Sequence, residues 1–162
     1  MIDGKEVSIE FMFNVHFLKT DPRARYQGYL FFFREGFCWN NVLTTHIRCR
    51  MKQKTVQSTE SMSFFSMAKS IPEYYMIAVM NSKFAAYYID SFINSTSHCT
   101  TGDAKLIPIV IPSESELAKC YDIFENIITL KKEINLTLQN NYIKLHELEK
   151  KMDNLISELY GI

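Results

Sequence analysis

SESELAKCYDIFENIITLKKEINLTLQNNYIKLHELEKKMDNLISELY, residues 113–160, decides the architecture of this 162-residue chain. No glycine or proline falls between Pro112 and Gly161. Ser113 and Glu116 form a capping-box pattern, in which each side chain serves an unpaired backbone N–H of the first helical turn. Apolar residues then recur every three or four positions through Leu117, Cys120, Phe124, Ile127, Ile134, Leu138, Leu145, Leu148, Met152, Leu155 and Leu159, interrupted at Lys131 and Asn141. A seam of this kind packs one helix against another. One straight helix of this span would be ~70 Å long at ~1.5 Å per residue. That exceeds a domain of this size, so the segment is expected to protrude, to fold back near Asn135–Asn141, or to pair with a partner.

Upstream, the pattern changes. Leu106–Ile111 is apolar and β-branched, and Pro108 restricts it to an edge strand or an extended segment. Asn94–Gly102 reads as a polar loop, and Asp103 after Gly102 suits a turn or cap. Ser70-Ile71-Pro72-Glu73 reads as a helix start with Ser70 as cap. That helix, Pro72–Met80, should pause at Asn81-Ser82, where Asn tolerates a left-handed position and Ser82 caps a second helix to about Ile93. Val7, Ile9, Phe11, Phe13, Val15 and Phe17 alternate with polar residues as in a half-buried strand, and Asp21-Pro22-Arg23 is a turn. Tyr29–Phe33 is apolar on both faces and predicts an interior strand. Arg34-Glu35-Gly36 breaks it, Phe37-Cys38-Trp39 resumes apolar packing, Thr55–Glu60 is a loop, and Met62–Met67 is a further short strand. The fold expected is α+β: a mixed β-sheet domain with a helix-break-helix element over residues 1–112, then a long C-terminal helix or helical hairpin over residues 113–162, acting as a spacer or dimerisation arm.

The charge is patterned although the net charge is zero. Residues 1–112 carry 12 Lys/Arg against 9 Asp/Glu, and residues 113–162 carry 6 against 9. His46, Arg48, Arg50, Lys52 and Lys54 alternate with Ile47, Cys49, Met51 and Gln53, with no acid between Gly36 and Thr59. On a strand this alternation gives one cationic and one largely apolar face. Such a face suits a polyanion, although Lys and Arg also blunt sheet edges. A pI near 6.9 is low for a free-standing nucleic-acid binder, so DNA would be held by another domain or chain as well.

Catalytic chemistry finds no foothold. The chain has no Gly-rich phosphate loop, and no Ser or Cys lies in a nucleophile-elbow context. His16, His46, His98 and His146 are scattered, and Cys38, Cys49, Cys99 and Cys120 lack metal-ligand spacing. The thiols read as reduced, in a cytoplasmic protein. The apolar runs Tyr29–Phe33 and Tyr74–Met80 are too short to span a bilayer. Trp39, the single Trp, reads as core rather than a base-stacking platform.

Several segments, in order, resemble one family. Tyr29–Val42, YLFFFREGFCWNNV, is similar to the aromatic-strand, basic-x-Gly, aromatic, Trp block of DNA target-recognition domains. These domains belong to adenine-specific DNA methyltransferases, to the fused type IIG restriction–modification enzymes and to type I restriction specificity subunits. Tyr74–Tyr88, YYMIAVMNSKFAAYY, resembles their helix, Asn-Ser, helix signature, and Thr100–Pro112, TTGDAKLIPIVIP, their closing Gly-Asp and Ile-Pro element. The ending Leu155–Gly161 is similar to their terminal helix. The resemblance covers roughly residues 25–162. The methyltransferase motifs of these families, a Gly-rich cofactor loop and an Asn-Pro-Pro-aromatic tetrad, are missing.

The resemblance therefore implies a non-catalytic recognition module, an excised C-terminal domain or a half-length specificity subunit. It would bind double-stranded DNA and direct a methyltransferase or endonuclease domain or subunit. S-adenosylmethionine and Mg would belong to that catalytic part, and none is expected in this chain. A homodimer through the C-terminal helix and a coiled-coil interaction module are the alternatives. In such a domain Arg48, Arg50, Lys52 and Lys54 are expected to face phosphates, one Arg reaching guanine. Asn40, Asn41, Thr44, Thr45, Gln53, Gln57 and Ser58 are candidate base readers, with Ser95, Thr96 and Thr100 in a second loop.

Overall fold

A computed structural model describes residues 19–20, 29–43, 46–56, 60–133 and 139–162. Three antiparallel strands form a small sheet: β1 (Gly36–Asn40), β2 (Arg50–Lys52) and β3 (Ser61–Phe64), in the order β2-β1-β3. Among the described residues the helices that follow the sheet are α1 (Glu73–Asn81), α2 (Lys83–Tyr88), α3 (Thr101–Ala104), α4 (Glu114–Glu133) and α5 (Gln139–Tyr160). A π-helical turn, Ile89–Ile93, extends α2. The chain is thus α+β, with helices α4 and α5 packed together as a hairpin.

The central strand β1 explains the core. Phe37 and Trp39 share one face by the two-residue period of a strand and are almost fully buried. Phe64, opposite Phe37 on β3, meets both rings edge-on at 5.9 and 5.1 Å. The Trp39 indole N–H donates to the Cys99 carbonyl at 2.9 Å, so its polar atom is served inside the core. Trp39 is core, as its sequence context predicts.

The turn chemistry of the helices is largely as predicted. Ser82 separates α1 from α2, and its hydroxyl accepts from the Ala85 N–H at 3.2 Å. The Ser113–Glu116 box forms in full: Glu116 Oε2 accepts from the Ser113 N–H at 2.6 Å, and Ser113 Oγ accepts from the Glu116 N–H at 3.4 Å. Asp103 closes an equivalent box on Thr100 at the start of α3. The start of α1 differs. Pro72 is the cap residue, with no side-chain bond, and Glu73 instead accepts from the Ser66 N–H at 3.1 Å. Asn81 ends α1 without a left-handed conformation, because among the described non-glycine residues only Phe33 has positive φ.

Two further expectations are corrected. Tyr29–Phe31 is a 3₁₀ turn rather than an interior strand, and Leu30, Phe31 and Phe33 are exposed. The chain reverses through Phe33 at φ 57°, and Phe31 stacks on Phe65 at 5.4 Å. Leu106–Ile111 forms no strand, and its first two residues continue the turn after α3, the Leu106 and Ile107 N–H groups donating to the Asp103 and Ala104 carbonyls at 3.0 and 3.4 Å. The Tyr75 hydroxyl donates to the Val110 carbonyl at 2.8 Å, and the Tyr160 hydroxyl donates to the Pro108 carbonyl at 2.7 Å, so tyrosines replace a ladder partner. The expected strand around Val7–Phe17 and the turn at Asp21–Arg23 lie outside the described residues.

The heptad seam is used within the chain. Cys120 and Phe124 of α4 and Met152 and Ile156 of α5 join the same buried cluster as Phe37, Trp39 and Val79. Lys131 pairs with Glu149 across the hairpin at 2.9 Å. Asp153 of α5 accepts from the Lys83 N–H at 2.8 Å, joining the hairpin to the start of α2.

Candidate nucleic-acid interface

Of the stretch 46–54 expected as one strand, Arg50–Lys52 alone forms strand β2. Ile47 and Cys49 are buried, whereas His46, Arg48 and Arg50 are exposed. Cys49 is anchored at both ends of its peptide unit by Asn81, and its sulfur lies 3.8 Å from Met80 Sδ. Burial within apolar surroundings pushes the Cys49 thiol well above its ordinary pKa. This inner face fixes the outward direction of Arg48 and Arg50.

An open groove of about 680 Å³ lies on the sheet face opposite Phe37 and Trp39. Asn40, Arg50, Lys52 and Gln53 line it, with Glu60 at its border. The strand register explains the gathering: Arg50 pairs with Cys38, Lys52 with Gly36, and Asn40 with Ser61. Both terminal nitrogens of Arg50 donate to Asn40 Oδ1, at 3.3 and 3.4 Å.

Lys52 corrects an expectation. Strand alternation puts it on the Arg50 side, but it is only 3% exposed. Its ammonium donates to the Arg34 carbonyl and sits 5.5 Å from the Phe65 ring centroid. The Arg34 carbonyl and the Phe65 ring hold it inside, so Lys52 is not a surface phosphate ligand. Arg48, Gln53 and Lys54 are exposed.

The two loops proposed as readers are adjacent. The Leu43 N–H donates to the Ser97 carbonyl at 2.8 Å, and the Cys99 N–H donates to the Asn41 carbonyl at 2.9 Å. Val42 and His98 form a bridge between them. The structure therefore gathers Asn40, Asn41, Arg50 and the Ser95–Thr100 loop at one end of β1. Asn41 is half-buried, with a buried Oδ1 that has no hydrogen-bond partner among the described residues. Ser95 and Thr96 are exposed, and the Thr96 N–H donates to Asn94 Oδ1 at 2.9 Å. The Thr100 hydroxyl is committed to Asp103 at 2.8 Å, which makes it a helix cap rather than a free reader. Thr44, Thr45, Gln57 and Ser58 lie outside the described residues.

Arg34 and Glu60 were not singled out by sequence reasoning. Arg34 lies 5.9 and 5.1 Å from the Phe31 and Phe65 ring centroids. Its place in an Arg-x-Gly break gave no sign of that stacking. Among the described residues no group of three or more His, Cys, Asp or Glu side chains is placed to hold a metal ion. No helix among them is long and apolar enough to cross a membrane. No protein-family profile and no curated protein matches this chain.

Proposed function

We propose that this chain is a sequence-specific DNA-recognition module of a restriction–modification system, directing a methyltransferase or endonuclease carried by another domain or subunit. The observation that supports it best is the groove face of the sheet, where exposed Arg50 lies beside Asn40 and next to the paired 41–43 and 97–99 segments. Arg48 and Lys54 supply phosphate contacts, and Arg50 with the loop amides and hydroxyls meets base edges. The resemblance over roughly residues 25–162 points the same way. The module itself is non-catalytic, and S-adenosylmethionine and Mg belong to its partner.

Fluorescence anisotropy of the full chain with a labelled random-sequence duplex tests this reading. Two phosphate contacts give a log–log salt slope of about −1.8 at roughly −0.9 per contact. No binding at about 50 mM salt, where electrostatic contacts are strongest, would refute the proposal.

A second reading is an interaction module that self-pairs through the C-terminal hairpin. Tyr142 and Ile143 are exposed on α5 and give it an apolar foothold. The principal seam is already occupied inside the chain, which favours DNA recognition. Sedimentation at high concentration separates the two, since a monomer excludes self-pairing.

A further inference from the structure

Arg50 is an arginine whose plane is already set. Asn40 Oδ1 sits between its two terminal nitrogens, at 3.3 and 3.4 Å. That oxygen occupies the end-on edge of the guanidinium. Arginine has five N–H donors in a fixed fork. The parallel pair on the side edge, Nε–H and one Nη–H, has no partner among the described residues. The ion pairs among them, Lys83–Asp153 and Lys131–Glu149, do not involve Arg50. Both residues stand on hydrogen-bonded strands, so the backbone beneath the pair is rigid.

Two parallel donors match two acceptors about one hydrogen-bond spacing apart, as guanine presents at O6 and N7 in the major groove. A phosphate contact requires charge and reach, and gains little from a fixed plane. Arg48 and Lys54, outside the strand, supply that kind of contact. Restraining the guanidinium before binding lowers the ordering cost and fixes which base edge it meets.

We propose that Arg50, oriented by Asn40, reads one guanine of the recognised sequence, with Asn40 as the positioning residue. This rests on the DNA-recognition reading above and specifies its chemistry. Neither residue alone carries it: the side chain that touches DNA is Arg50, and Asn40 acts through it.

The test is selection from a pool of randomised duplexes with the full chain and its variants, each checked by thermal melting. The wild-type chain is expected to enrich a motif with an invariant G·C pair. Arg50→Lys and Asn40→Ala lose the preference at that pair by roughly tenfold and keep the rest of the motif. Asn40→Asp, which retains the acceptor, preserves it. Arg48→Ala weakens all duplexes alike and leaves the motif unchanged. Retention of the G·C pair by Arg50→Lys or by Asn40→Ala overturns the assignment, as does its loss in Asn40→Asp. A wild-type chain that binds duplexes without enriching any motif also overturns it. A wild-type chain that binds no duplex removes the DNA-recognition reading itself.

Discussion

Asn81 and Cys49 form a two-bond pair in which a side-chain amide stands in for a neighbouring strand. The Cys49 N–H donates to Asn81 Oδ1 at 2.6 Å, and Asn81 Nδ2 donates to the Cys49 carbonyl at 3.0 Å. Cys49 lies immediately before β2, where the ladder to β1 stops. The last residue of α1 thus completes the backbone hydrogen bonding of the basic segment and holds Arg48 and Arg50 outward.

Asn81→Ala leaves both Cys49 backbone groups without this partner. A part-buried unsatisfied group costs about 1–3 kcal/mol. For a domain of this size each kcal/mol lowers the melting temperature by roughly 2–4 °C. Calorimetry is expected to show that loss, with Asn81→Asp intermediate because it keeps the acceptor and loses the donor.

Gly36→Ala destabilises the sheet by adding a single methyl group. A Cβ at Gly36 would lie 2.5 Å from the Phe64 carbonyl oxygen and 2.6 Å from Phe65 Cδ1. The first of these is backbone of the adjoining strand and cannot rotate away. Overpacking of this kind costs about 1–3 kcal/mol. Chemical denaturation is expected to show a lower midpoint, with the slope unchanged.

Salt dependence of DNA binding separates surface cations from the buried one. Neutralising Arg48 and Lys54 together is expected to flatten the log–log slope by about 1.8, at roughly 0.9 per phosphate. Lys52→Met keeps an unbranched chain under the Phe65 ring and is expected to leave the slope unchanged. A flattened slope in that variant would show that Lys52 reaches phosphate after all.

Asp103 makes the 94–104 loop sensitive to acid. The Thr100 backbone N–H, helped by the Thr100 hydroxyl and the Asn94 amide, holds its carboxyl below the ordinary aspartate value of 3.8. A folded-state pKa below the unfolded one stabilises the fold fully above the unfolded value, and that stabilisation disappears as pH falls through the folded value. Asp103→Asn can keep an acceptor but cannot titrate. Melting temperatures measured from about pH 5 to about pH 2 are expected to fall less steeply in that variant.

Local capping chemistry was legible in the sequence because it is decided within four residues. Ser82 and Ser113–Glu116 act as their spacing implies and Asp103 serves a cap, whereas the Ser70–Glu73 box does not form because Pro72 is the cap residue and Glu73 turns to Ser66. The 3–4 repeat from Leu117 to Leu159 identified a packed helical seam, but periodicity is silent on whether the partner helix belongs to the same chain. Tyr29–Phe33 misled because five apolar residues in a row fit a strand buried on both sides, whereas Phe31 is held by Phe65, 34 residues later. Lys52 misled for a related reason. Strand alternation assigns its face correctly, yet whether that face is open depends on a distant turn. In the candidate site, Arg48 and Arg50 were legible from alternation. The pairing of Asn40 with Arg50 required the β1–β2 register, which no local pattern supplies.

The common core of sheet and hairpin governs how such a module can be transplanted. Severing the chain at residue 112 would strip Cys120, Phe124, Met152 and Ile156 from the packing around Trp39 and Val79, and would take Asp153 from the amide that opens α2. A graft into another host has to carry residues through Tyr160 as one piece, because the hairpin packs on α1, the helix on which the basic ribbon rests.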